Sequence, residues 1–404
     1  MKKLPKMIIR FLLLLSLVMV IQFTPIFNKV VNFFFDKNVP LIIIPPMENK
    51  IRGVITIDLQ VFDKSDPLSI NVYLNKQKVE AIFPLLIDTN RFPDGDYVLM
   101  VEVMDSTIRK NKAFDTVGFI IDNTPPLVEI ILEKEILEPG GFLKGRINLK
   151  EKALIEAKIA GENLVLLETK PSEFQNSESN ILSFFFIYGI PLNQELPFKE
   201  ISIKAVDEAG NKTSKLLTYQ LKDRKFSTEF LTIAEGKTPL LDLELLRAER
   251  KIVEEVLFKM SKGIYWEGDF IPPVDSVVTS PFGVKRIYNQ GLLIGRHNGI
   301  DYRAKKGTGI KAANSGFVVL SEFLRARGGT VIIDHGMGVM SLYYHLDEIL
   351  VNRSDRVKKG QFIGKAGDTG ITTAPHLHFE MRIRNVAVDP SHFYGGKKND
   401  SPLY

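Results

Sequence analysis

The chain has 404 residues, no cysteine, and 53 Lys+Arg against 48 Asp+Glu, a formal charge of +5. That length exceeds one compact core and points to several domains; the missing cysteine excludes disulfides, cysteine metal sites and a cysteine nucleophile. From Tyr265 onward 18 Lys+Arg face 13 Asp+Glu, whereas the preceding residues balance at 35 each. The basic C-terminal third has no Lys/Arg run interleaved with aromatics, which argues against nucleic acid and leaves an anionic polymer as the better partner.

The first element is "MKKLPKMIIRFLLLLSLVMVIQF". Lys2, Lys3, Lys6 and Arg10 precede an apolar run from Phe11 to Ile21, broken only by Ser16, the pattern of an export signal. No small-x-small cleavage site follows, and the run extends from Met7 to Phe27 if Arg10 snorkels. Residues 1–38 are therefore expected to be an uncleaved signal anchor with a short linker, in preference to a cleaved signal peptide. The chain would then sit in the cytoplasmic membrane through one N-terminal helix, with its bulk facing the periplasm or cell exterior.

Residues 39–124 alternate apolar and polar in "GVITIDLQVF" (53–62), "SINVYLN" and "DYVLMVEVMD", as half-buried strands do. The double proline at 125–126 closes that unit. A second β unit, 125–224, ends on "EISIKAVDEAGNKTSKLLTYQL" with a hairpin signal at Ala209-Gly210-Asn211. Both resemble tandem bacterial immunoglobulin-like domains, which implies β-sandwich spacers, with a protein partner as a second use. Residues 225–263 change period. Leu241, Leu245, Ala248, Ile252, Val256 and Met260 recur at three and four, predicting one amphipathic helix over 238–262 that starts near Pro239, ends before Gly263 and packs on a neighbouring domain.

Residues 264–404 are β again and rich in glycine. In "APHLHFEMR" a strand would send His376 and His378 to one face and Leu377 to a core. In "RHNGIDY" the Asn298-Gly299 pair can turn the chain so that His297 and Asp301 converge. Two histidines and one carboxylate with an open fourth position make a catalytic zinc set. One of the 376/378 pair and His345 of "SLYYHL" are then left for proton transfer and charge stabilisation. Period two places His345 on the face of Tyr343 and Ser341, opposite Leu342 and Tyr344.

The spaced segments "SPFGVKR", "HNGIDY", "KKGTGIKAANSGFVV", "VIIDHGMGVMSLYYHL" and "RVKKGQFIGKAGDTGITTAPHLHFEMR" resemble the lysostaphin-type (LytM-like) zinc endopeptidases of bacterial cell walls. The likeness covers about 271–394. It implies a mainly β chain whose last domain is a glycine-rich β-sandwich of the duplicated hybrid-motif, barrel-sandwich type. It also implies one Zn2+ per chain on His297, Asp301 and His378, with His376 and His345 catalytic: His376 as base, His345 as stabiliser of the tetrahedral intermediate. Arg286 matches a recurring arginine without an assigned role, and Ala374 replaces the glycine usual before Pro-His. The implied substrate is peptidoglycan, cut in stem peptides or cross-bridges. The rival is a non-enzymatic activator of other wall hydrolases on the same fold, which would have no need of five intact site residues. His335 is read as a turn or packing residue outside the metal set, and His392 as structural or solvated. "RVKKGQFIGKAG" also resembles biotinyl- and lipoyl-carrier turns, a likeness of fold only.

Overall fold

A computed structural model describes residues 25–64, 67–169, 181–193, 198–259 and 261–395. The expected anchor lies outside these residues except for its last few; among the described residues no helix is long and apolar enough to cross a membrane. The chain is mainly β and divides into two compact units, 1–126 with 206–212, and 127–205 with 213–404.

The first unit carries the helix Pro25–Phe35 and a five-stranded sheet ordered Lys50–Ile51, Lys112–Ile121, Gly95–Asp105, Pro67–Leu74, Gln77–Val79. Along Gly95–Asp105 every second residue from Leu99 is buried, so Leu99, Val101 and Val103 join Val72 and Ile121 in one core. The single strand expected at 53–62 is two. Val54–Ile57 pairs with Leu85–Asp88 and Gln60–Phe62 with Leu41–Ile43. The chain leaves the extended ladder at Asp58-Leu59, where Leu59 N–H turns back to Ile57 O.

The second unit begins as two four-stranded sheets facing each other. One runs Val128–Glu135, Phe142–Leu149, Leu182–Gly189, Leu167–Thr169; the other Glu162–Asn163, Ala153–Ile159, Phe198–Asp207, Lys212–Gln220. Leu143, Ile147 and Leu149 of the first meet Ile159, Ile201 and Ile203 of the second. The first sheet has a second apolar face. Phe142 packs on Phe393 at 4.7 Å and Phe185 on Trp266 at 6.2 Å, and Arg224 binds Asp389 at 2.6 Å. The sandwich therefore shares a core with the C-terminal domain instead of hanging from a linker. His392 belongs to this junction, 3.6 Å from Glu138, and is not a solvated residue.

The C-terminal domain is an antiparallel ten-stranded sheet with the path Val278–Ser280, Ile300–Arg303, His376–Ile383, Val339–Ile349, Gly328–Gly336, Gly316–Leu324, Arg356–Val357. Every residue of Gly328–Gly336 is buried, and Val339–Ile349 is buried on both faces through His345 and Leu346. Val339 and Tyr343 enter the main core with Val331, Leu377 and Phe379, while Met340, Leu342 and Tyr344 face the helix Leu243–Leu257.

That helix is shorter than expected and rotated. Residues 235–241 form a 3-10 turn containing Pro239, and Asp242 caps the helix by accepting Leu245 N–H at 2.8 Å. The buried face is Glu249, Val253, Val256 and Leu257, whereas Ala248 and Ile252 are exposed. Burying Val253, Val256 and Leu257 contributes on the order of 1.5–3 kcal/mol each. A glutamate occupies the fourth core-facing place because its carboxylate accepts the backbone N–H groups of Ala326 (2.7 Å) and Arg327 (3.2 Å) and the Arg327 guanidinium (3.1 Å). Pattern reading places apolar residues inward, so it found Leu241 and Val256 but put Ala248 and Ile252 inside in place of Glu249 and Val253. The same connector also contributes a strand: Thr228–Leu231 runs parallel to Lys285–Tyr288, which pairs with Leu293–Arg296.

Candidate metal centre

The site begins with register. In the antiparallel pair Ile300–Arg303 and His376–Ile383, Asp301 stands opposite His378 and Arg303 opposite His376. Strand alternation sends Asp301 and His378 to one face while Tyr302 and Leu377 enter the core. Gly299 permits the approach, since a Cβ there would lie 2.2 Å from Phe379 O. The turn then returns His297 to the same place.

Three acceptor atoms converge. His297 Nε2 lies 3.0 Å from Asp301 Oδ1 and 3.0 Å from His378 Nδ1, and His378 Nδ1 is 2.9 Å from Asp301 Oδ1. The outer atoms fix the tautomers. His297 Nδ1–H donates to Pro281 O at 2.7 Å, because a carbonyl can only accept, and His378 Nε2–H donates to the Glu380 carboxylate at 3.0 Å. Both inward nitrogens therefore present lone pairs to a carboxylate oxygen and to each other. Such an arrangement is stable only around a cation or a proton. The donor set thus fits a divalent metal with two nitrogen ligands and one oxygen.

The charges agree. Burial pushes the Asp301 carboxyl up, but His297 and His378 outweigh it and hold it well below the usual carboxylate range. Burial pushes His378 down, yet Asp301 and Glu380 reverse this and raise it. A proton held there by two carboxylates is what a metal displaces. Burial holds the His297 imidazole neutral, as a ligand must be.

His376 and His345 flank the triad. His376 Nδ1–H donates to Ala374 O and His345 Nδ1–H to Thr369 O, both at 2.8 Å, so each keeps Nε2 as a lone pair. His376 Nε2 is 3.7 Å from Asp301 Oδ1, and the two rings are 4.8 Å apart. Desolvation lowers both pKa values, that of His345 further because His376 and His378 add repulsion. His345 does not share the face of Tyr343 and Ser341. Its φ of 64° breaks period two, so that it lines the groove beside Tyr344 while Tyr343 and Ser341 turn into the core. A non-glycine residue in left-handed backbone is strained and needs its surroundings to hold it; here its own N–H binds Arg327 O at 3.0 Å.

Two residue chains brace the ligands, and neither is visible in the C-terminal motifs. The Glu229 carboxylate accepts from Ser280 Oγ (2.9 Å) and Arg286 Nε (3.3 Å), and Arg286 in turn holds Asp301 Oδ2. Glu249 holds Arg327, whose guanidinium lies 5.8 Å over the Tyr344 ring, and Tyr344 stacks on His378 at 5.4 Å and 8°. Glu380 completes the shell, bridging His378 and Arg382 and kept ionised by that arginine and histidine despite its burial. Glu229 and Glu249 come from the connector. A fixed offset from the histidine motifs does not exist for them, whereas Glu380, two residues after His378 on the same strand face, was legible in principle.

His335 stays outside this centre. It is fully buried, Nδ1–H donating to Ser315 O and Nε2 accepting from Ser341 Oγ, both at 2.8 Å. Burial pushes its pKa down to about 4. The unfolded chain therefore takes up a proton near pH 6.5 that the folded chain refuses until about pH 4. Stability from this residue is complete above pH 6.5 and falls by about 3 kcal/mol as pH drops through that window. Melting of the C-terminal unit should lose stability on acidification more steeply in the wild type than in His335→Gln; parallel slopes would refute it.

Residues 295–390 match the model of peptidase family M23. This part of the chain is an M23 peptidase domain. Among curated proteins, the M23 domain region is similar to peptidoglycan DD-endopeptidase ShyA of Vibrio cholerae, 37% identical over 119 residues, 29% of this chain and 28% of that protein. ShyC of the same organism is 39% identical over 113 residues, 28% and 26% of the two chains. DD-carboxypeptidase/endopeptidase Mpg of Neisseria meningitidis is 37% identical over 121 residues, 30% and 27%. The chain thus spans under a third of the length of each of these relatives. Among solved structures, the catalytic domain of lysostaphin from Staphylococcus simulans is 32% identical, covering 29% of this chain and 91% of that one, with a TM-score of 0.26.

Proposed function

We propose that the protein is a zinc-dependent endopeptidase that hydrolyses peptide bonds in peptidoglycan stem peptides or cross-bridges. The carrying observation is the convergence of three lone-pair donors, His297, Asp301 and His378, at 2.9–3.0 Å, with two further imidazoles beside them. When bound there, zinc supplies Lewis-acid polarisation of a carbonyl and acidifies water. His376 Nε2, a lone pair at the rim of the groove, takes the proton of the attacking water. His345 steadies charge on the substrate oxygen only while it carries a proton on Nε2, because Nδ1–H is committed to Thr369. The groove, about 650 Å3, is walled by the connector at Leu231, Ile233 and Leu246 and by the 285–296 hairpin at Leu293.

The relatives' names, peptidoglycan DD-endopeptidase, support the substrate class. The activator reading has no use for four histidines whose tautomers are individually fixed around one aspartate. The charged and apolar N-terminus supports a cytoplasmic-membrane anchor with the bulk outside, and the two β units are taken as immunoglobulin-like spacers. The test uses the full chain loaded with zinc on purified peptidoglycan, with fragments identified by mass. Release that stops with a chelator and returns with zinc is expected. Zinc bound at one per chain without release from any peptidoglycan type would overturn the reading.

A further inference from the structure

Five arginines line the groove. Three are committed: Arg286 to Asp301 and Glu229, Arg327 to Glu249, and Arg296 to the Gly283 carbonyl at 2.9 Å. The acidic groups of the lining, Glu229 and Asp301, are spent on Arg286 and the metal ligands. Arg303 is different. It is exposed, its side chain has no acceptor among the described residues, and it stands directly opposite His376 in the strand register. Directly opposed residues of an antiparallel pair have Cβ atoms about 5 Å apart on one face of the sheet. The alternation that brings Asp301 to the triad therefore places Arg303, with its side chain uncommitted, opposite the proposed base. Arg250 of the connector helix also lacks an acceptor among the described residues, but it faces none of the site histidines in register.

An uncommitted cation at a reacting centre has a chemical consequence. A guanidinium offers a planar pair of donors that matches a carboxylate in two parallel hydrogen bonds, and a neutral carboxamide cannot reproduce the charge. We propose that Arg303 forms a carboxylate-binding subsite beside the scissile bond, so that this protein selects peptides whose residue next to the cut carries a free carboxylate over the amidated form. The proposal rests on the peptidase reading for its substrate and deepens it. It makes no new covalent step: Arg303 binds and orients, and His376 beside it moves the proton.

The experiment compares two cross-linked peptides that differ only in a carboxylate or a carboxamide next to the scissile bond. The full chain with zinc is expected to favour the carboxylate peptide about 10- to 100-fold in kcat/KM, mostly through KM. Arg303→Gln should erase that preference, bringing kcat/KM on the two peptides to within about twofold of each other, and Arg303→Lys should keep part of it. Because Arg303 is exposed and its side chain holds no other group, these variants are expected to fold. A parallel measurement takes equilibrium binding of both peptides to His376→Ala, with and without Arg303→Gln. Equal treatment of the two peptides by the wild type, or a preference that survives Arg303→Gln, overturns the subsite. Carboxylate-selective binding that depends on Arg303 with no cleavage by the wild type keeps the subsite and overturns the peptidase reading.

Discussion

His376→Ala should lower kcat about 10²–10⁴-fold and leave one zinc per chain in place. The separation follows from geometry. The three atoms that surround the metal position belong to His297, Asp301 and His378, and each is oriented by its own outer partner: Pro281 O, Arg286 and Glu380. His376 gives none of them a hydrogen bond; its Nδ1–H goes to Ala374 O and its Nε2 stops 3.7 Å from Asp301 Oδ1. Removing the ring takes away a lone pair at the rim and little packing, because the side chain is partly exposed. Zinc content by mass spectrometry and turnover on released fragments should therefore split. His345→Ala is expected to lose activity as well, but with a stability cost, since that ring is buried and its strained backbone is held by neighbours. Loss of zinc together with activity in His376→Ala would make that residue a ligand and refute the division of roles.

How much of this was legible in the sequence depends on how local each cause is. The alternation around Leu377 places two histidines on one strand face, and "HNGID" folds back within five residues; both readings need only neighbouring residues and the period of a strand. The face of His345 was misread because one left-handed residue shifts the period, and nothing in "SLYYHL" announces it. The connector helix was misread for a different reason. Pattern analysis assigns the buried stripe to apolar residues, but Glu249 is held inside by two backbone N–H groups more than seventy residues away. A separation of more than fifty residues hides Glu229, which is satisfied by Ser280 and, across a parallel strand pair, by Arg286. Sequence composition separates 225–263 from the domain that follows, yet the two share a sheet, a core and the bracing of the metal ligands. A parallel pairing between segments more than fifty residues apart leaves no periodic trace in either one.

That sharing gives the second large effect. Asp301→Ala should abolish zinc binding at micromolar metal and with it all hydrolysis, because it removes the one anionic ligand and leaves the buried Arg286 with Glu229 alone. The connector variants should form a graded series beneath it. Glu229→Ala frees Arg286 to swing from Asp301, and Glu249→Ala releases Arg327 from above Tyr344, the ring that stacks on His378. Each is expected to weaken zinc about 10- to 100-fold, the range for lost outer-shell partners, and chelator competition on the full chain reads this without relying on activity. Glu249→Gln and Glu229→Gln should each recover part of the loss, since the amide oxygen still accepts from Ala326 N–H or Ser280 Oγ while the charge-assisted contact to arginine is weakened. Zinc affinity unchanged in both alanine variants would mean that the connector only covers the sheet. If the affinities fall as expected, a fragment beginning after residue 263 would contain every metal ligand and still bind metal poorly, because the carboxylates that orient two of those ligands precede it in the chain.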